Sequence, residues 1–108
     1  MLSLSGQPKL FLCKDPINMK KSFEGLGGLV ERLFPGELFN SCYFIFFNRR
    51  RNHLKVLYWD NDGFAIWMKR LEKGAFCIKT DETSLSRKDF LMILEGITPK
   101  RIQRRFSL

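Results

Sequence analysis

One histidine, His53, and three cysteines, Cys13, Cys42 and Cys77, are all that this sequence offers of the side chains that most often bind metal or attack a substrate. The cysteines are far apart, form no CxxC pair and sit among apolar neighbours, as free buried thiols of a reducing compartment do. A zinc site built from them and His53 would lack the close ligand pairs on which such sites are founded, so no metal is expected. A single histidine in an Asn-His-Leu context gives little material for a nucleophile and base. There is no GxxxxGK[ST] phosphate loop, and Gly25-Leu26-Gly27-Gly28 lacks the preceding strand and the spacing of a dinucleotide fingerprint. Asp60 and Asp62 could serve a metal nuclease, but Asp60-Asn61-Asp62-Gly63 is what a hairpin tip shows for turn reasons. The expectation is a protein that is not an enzyme and carries no cofactor.

Long apolar runs are also missing: none approaches the roughly 18 residues of a membrane span. Residues 1–6 lack the charged start and apolar core of a secretory signal, so the expectation is a cytoplasmic protein with no membrane partner. No repeat or low-complexity tract divides the chain. At 108 residues it is expected to form one domain over 1–108, with flexible ends at 1–8 and 98–108, the latter a basic tail.

What is abundant is positive charge. Nineteen Lys and Arg against eleven Asp and Glu give a formal charge of +8 and a sequence pI near 9.8, which favours polyanionic partners. Much of this charge falls within residues 41–76, where apolar runs are separated by polar breaks at 48–52, 60–63 and 72–74. That spacing is the pattern of a strand-turn-strand meander, and Asp62-Gly63 is its strongest turn signal because Gly takes positive φ without steric cost. Arg49, Arg50, Arg51, Lys55, Lys69, Arg70 and Lys73 are interleaved there with Tyr58, Trp59 and Trp67, and cations among aromatics suggest nucleic acid. The arginines and the Lys69, Arg70 and Lys73 group would contact phosphate, and Tyr58 or Trp59 would stack on bases or pack in the core.

The flanking segments supply helices. Residues 9–13 read as a strand. Met19, Phe23, Leu26, Val30 and Leu33 share one face of a helix over 18–34, ended by Pro35-Gly36. Gly25, Gly27 and Gly28 each cost that helix about 1 kcal/mol relative to Ala. Close packing of helix on sheet is the first explanation, and approach of a partner or phosphate the second. Ser86 and Asp89 form a capping box for a second helix over 87–95, with Gly96 and Pro99 ending it. In the run 42–47 both alternating sets are apolar, so that strand should be covered on both sides, by the second helix or by a second subunit. The predicted fold class is α+β: an antiparallel β-meander of about four to five strands packed with two helices, with Phe23, Leu26, Val30, Phe44 and Phe46 in its core.

Several stretches together carry a family resemblance: NMKKSFEGL at 18–26, NRRRNHLKVLYWD at 48–60, DGF at 62–64, KRLEKGAF at 69–76 and LEGI at 94–97. Over about residues 9–97 the chain resembles the TnpB accessory proteins, the second open reading frame of the bacterial insertion sequence sixty-six family. These are distinct from the RNA-guided nuclease that shares the name. Asn18 stands where that family usually has Asp, which would replace a charged helix cap by a neutral acceptor. The resemblance implies an accessory role in transposition beside a separate transposase. Two expectations follow from the residues and the resemblance together. In one, the protein binds DNA mainly through the phosphate backbone by its basic turns. In the other, it is a scaffold that binds the transposase or other proteins of the element, or a second copy of itself, without touching DNA.

Overall fold

In a computed structural model of the chain, residues 8–78 and 82–95 are described. Five strands form one sheet in the order β4-β3-β2-β1-β5, with β1 at Lys9–Leu12, β2 at Cys42–Phe47, β3 at His53–Asp60, β4 at Gly63–Arg70 and β5 at Ser84–Leu85. Two helices accompany it, α1 at Phe23–Leu33 and α2 at Arg87–Leu94. The α+β class and two helices agree with expectation, but the sheet is mixed. β1 runs parallel to β2, with Phe11 opposite Phe44, and is flanked on its other side by antiparallel β5. The cause is connectivity: α1 lies between β1 and β2, and a helical crossover returns the chain in the same direction, whereas a tight turn reverses it.

Hairpins form at two of the three polar breaks. β2 pairs with β3 and β3 with β4, both antiparallel. At the second break the positive φ falls on Asn61, at 59°, and Gly63 already belongs to β4, opposite Asp60. The turn is therefore Asn61-Asp62, and Asn tolerates the left-handed region through its short polar side chain. The third break makes no hairpin. Gly74 turns the chain at φ 77°, and the run that follows crosses the sheet end as a coil, with the Phe76 amide donating to the Arg51 carbonyl at 2.6 Å.

The alternation in 42–47 gives the two-sided strand expected of it. One face carries Ile45, Phe47, Leu54 and Val56 against Phe90 and Ile93 of α2, with Phe76 completing the layer. The other carries Phe44, Phe46 and Leu57 against Leu26 and Val30 of α1. Ser86 caps α2, its hydroxyl accepting from the Asp89 amide at 3.0 Å. Gly96 and Pro99, read as the end of that helix, and the basic tail 98–108 lie outside the described residues.

Helix α1 departs from its reading in three ways. It starts at Phe23 rather than at 18, because residues 18–21 form a turn in which Asn18 Oδ1 accepts from the Lys20 amide at 2.8 Å. Asn18 therefore organises a turn ahead of the helix and does not cap it. Phe23 is 47% exposed and Leu33 42%, being the first and last helical residues, while Leu26 and Val30 in the middle are fully buried. The glycines are not points of close approach to the sheet either: beyond the helix's own backbone, a Cβ on Gly27 or Gly28 would meet no atom within 4 Å, and the three atoms nearest one on Gly25 would all belong to the Lys21 side chain. Exposed Gly28 thus carries a conformational cost that packing does not require. Gly28→Ala should raise unfolding free energy by about 0.5–1 kcal/mol, read as an upward shift in urea midpoint; an unchanged or lower midpoint would disprove it.

Candidate nucleic-acid interface

The arginine turn joins β2 to β3 and is shaped by the two asparagines that bracket it. Asn48 Nδ2 donates to Asn52 Oδ1 at 2.7 Å, and Asn48 Oδ1 accepts from the His53 amide at 3.1 Å. Arg51 holds φ 59°, left-handed for a residue with a Cβ, and is fixed there by its amide donating to the Asn48 carbonyl at 3.0 Å. Its guanidinium Nη1 donates to the Ile78 carbonyl at 3.2 Å. Arg51 thus braces the loop, while Arg49 and Arg50 stand exposed at its tip.

The second cationic group ends β4, and the sheet register brings it to the same end: His53 pairs with Arg70, and the Leu71 amide donates to the Asn52 carbonyl at 2.8 Å. Arg70 and Lys73 are exposed. Arg70 reaches Glu72 at 3.6 Å, with side chains 65% and 83% exposed, and a pair so wet contributes little. Lys69 is used differently: its ammonium donates to the Leu94 carbonyl at 2.8 Å, a cation at the negative end of α2. His53 registers the surrounding field. Burial, then the charges of Arg70 and Lys55, hold its pKa below the usual histidine value.

The remaining three expected contacts lie elsewhere. Lys55 points toward α1 from mid-strand, 7% exposed, and its ammonium donates to the Met19 and Lys21 carbonyls, both at 2.7 Å. Those two bonds also explain the late start of α1, since they hold carbonyls that a longer helix would direct to its own amides. Tyr58 packs on Tyr43 with ring centroids 4.9 Å apart on the α2 side. Trp59 sits against Phe64 and Phe39, centroids 5.0 and 5.4 Å away, and Phe39 is 64% exposed. Six strand steps separate Trp59 from His53, about 20 Å at the usual strand rise. The aromatic cluster and the cationic turns therefore occupy opposite ends of the sheet.

One cation escaped the sequence reading. Lys14 lines a cleft of about 190 Å³ together with Arg49 and Arg51. It follows β1 in a segment whose Asp15-Pro16 reads only as a turn, and nothing local marks it as a neighbour of residues 35 positions later.

Cys13 and Cys42 are buried and Cys77 half-buried, all free. Burial and then Glu37 push the Cys42 thiol up to about 11, so it stays protonated and unreactive at neutral pH. Among the described residues, no group of three or more His, Cys, Asp or Glu could hold a metal ion, and no helix is long and apolar enough to cross a membrane.

Residues 8–104 match the protein family described as IS66 Orf2 like protein. The uncharacterized protein y4jC of Sinorhizobium fredii (strain NBRC 101917 / NGR234) is 24% identical over 108 residues, covering 97% of this chain and 92% of that one. No solved structure matches the chain.

Proposed function

Since the chain belongs to the IS66 Orf2-like family, whose role in transposition is accessory, we propose that it serves that role by binding DNA through the phosphate backbone and without chemistry of its own. The observation that carries this reading is the convergence of the turn at 48–52 and the end of β4 on one end of the sheet. Arg49, Arg50, Arg51, Arg70 and Lys73, all exposed, are the cations it employs, Arg51 through the N–H groups that its bond to the Ile78 carbonyl leaves over, whereas buried Lys55 and half-buried Lys69 spend their ammonium groups on carbonyls within the fold. Like charges gathered on exposed turns repel one another and gain nothing from the core, so an external anion is what would favour them.

Five phosphate contacts should make the logarithm of affinity fall with the logarithm of salt at a slope of about −4 to −5. Arg49→Gln with Arg50→Gln, which spares the bracing Arg51, should make that slope shallower by about two units, and equally on unrelated sequences, because phosphate contacts position without specifying. Fluorescence anisotropy on two unrelated duplexes over a salt series measures both, with circular dichroism showing that the double variant is folded. An unchanged slope in a folded variant removes the turn from the interface.

A second reading is favoured by the exposed Phe39 beside Trp59 and Phe64: a scaffold that binds the transposase or a second copy of the chain through the far end of the sheet. A salt-resistant complex abolished by Phe39→Ser, in a protein showing no salt-dependent DNA binding, would favour it over the first.

A further inference from the structure

The two ends of the sheet carry fields of opposite sign, and titratable groups at each end register them. At the cationic end His53 is held below its usual pKa by burial and then by Arg70 and Lys55. At the other end Cys42 pairs with Lys9 across the parallel ladder, yet the Glu37 carboxylate raises its thiol more than Lys9 lowers it. The Tyr43 hydroxyl beside it is raised by burial, then by Tyr58 and Asp60.

The aromatic cluster stands at this negative end. Phe39, Trp59 and Phe64 touch pairwise, with centroids 5.0 to 5.4 Å apart and planes inclined by 46 to 77°. Phe39 belongs to the link between α1 and β2, which is pinned: the Glu37 amide donates to the Phe34 carbonyl and the Asn40 amide to the Glu37 carbonyl, both at 3.1 Å, and the Asn40 side chain donates to the Gly36 carbonyl at 3.3 Å. Leu38 is thereby turned into the core and Phe39 left 64% exposed. An exposed ring on a fixed turn has little freedom to lose on binding. Glu37 lies two residues before Phe39, Asp60 next to Trp59 and Asp62 two residues before Phe64, so each ring has a carboxylate near it in the chain. Aromatic faces attract cations, arginine most often, and the carboxylates strengthen that attraction while repelling phosphate. The patch suits a guanidinium and not a DNA strand.

The chain itself carries the complementary surface. Arg49 and Arg50 are exposed at the tip of their turn, about 20 Å away along a sheet that cannot fold one end onto the other. Taking its surface from the second reading above and its cations from the first, we propose that the arginine turn of one copy docks on the Phe39, Trp59 and Phe64 cluster of another, with Arg49 and Arg50 over the rings and beside Asp60 and Asp62. The formal charge of +8 makes copies repel at long range, but physiological salt screens this beyond about 8 Å and leaves the outcome to the groups in contact. Because the two surfaces differ, the contact is head-to-tail, and each pair keeps one free surface of either kind on which to grow. The first reading gives the same arginines to DNA, so docking and DNA exclude each other.

Sedimentation velocity on the full chain at physiological salt tests this by complementation. The wild type should form species larger than a dimer. Phe39→Ser, and separately Arg49→Gln with Arg50→Gln, should each weaken self-association at least about thirtyfold, the loss expected of a central anchor, with circular dichroism showing both variants folded. Mixed in equal amounts, the two variants should form a heterodimer and nothing larger, since each keeps the surface that the other has lost. Excess short duplex should displace a labelled double-arginine variant from Phe39→Ser. A wild type that stays monomeric up to about 1 mM, a variant that associates as the wild type does, or a mixture that forms no heterodimer overturns the proposal and leaves salt-dependent DNA binding by the wild type, and so the first reading, intact. A heterodimer that persists in duplex bound by Phe39→Ser overturns it too, as does loss of DNA binding in Phe39→Ser, which would make bases the occupant of the rings. Complementation by a protein that binds no duplex would instead discard the first reading and keep the docking.

Discussion

Phe44→Ala should lower the unfolding free energy by about 3 to 5 kcal/mol, the usual range for truncating a filled aromatic core position. Phe44 is 1% exposed in the middle strand of the sheet, with Phe11 stacked on it at 5.7 Å and Phe34 at 5.8 Å. Phe11 and Phe34 lie on each other at 4.8 Å, so three rings from β1, β2 and the end of α1 form one cluster that cannot close over a hole without moving three elements. Rigid surroundings leave the cavity largely open, and the loss is transfer energy plus cavity. With urea slopes of about 1–3 kcal/mol per molar for small domains, the midpoint should fall by at least about 1 M. A shift under about 0.5 M would mean the ring is replaceable and the cluster unimportant.

Lys55→Met should destabilise by about 2 to 6 kcal/mol, from two carbonyls each losing a donor at about 1–3 kcal/mol. Methionine keeps most of the apolar stem of this buried lysine, which stands opposite Phe46 in the ladder, so the measured loss reports chiefly on the ammonium and its bonds to the Met19 and Lys21 carbonyls. The same variant should leave the salt dependence of DNA binding unchanged. A stable Lys55→Met with a slope shallower by one unit would return Lys55 to the interface, because one phosphate contact is worth about 0.9 in slope.

The different fates of these two residues show where the sequence was legible. Phe44 belongs to a strand whose two alternating sets are both apolar, and period two is enough to place it inside. Lys55 follows Leu54 and precedes Val56 in a strand with an exposed cationic turn behind it, and its periodicity does not say that the facing helix begins one turn late and needs a donor. Which lysines are surface and which are caps is decided by carbonyls from remote segments, as Leu94 decides for Lys69. The β2-β3-β4 hairpins could be read because each turn is local. The parallel partnering of β1 was implicit in the order strand, helix, strand, but the adjacent meander pattern argued for reversal throughout. The Asp62-Gly63 signal found the right turn and the wrong positive-φ residue, since Asn61 meets the same steric demand. Lys14 illustrates the other limit, since only the parallel pairing of β1 with β2 brings it to the same cleft as Arg49 and Arg51.

The parallel placement of β1 also orders events in time. The chain leaves the ribosome N-terminal end first, so Lys9–Leu12 is made before the other four strands, and both of its neighbours in the sheet, β2 and β5, come later. β2, β3 and β4 can zip up by short loops as they emerge, whereas β1 must close a loop of about thirty residues before its first pairing is rewarded. The strand that is synthesised first is therefore the one that waits, its apolar Leu10, Phe11 and Leu12 without a strand partner until β2 appears.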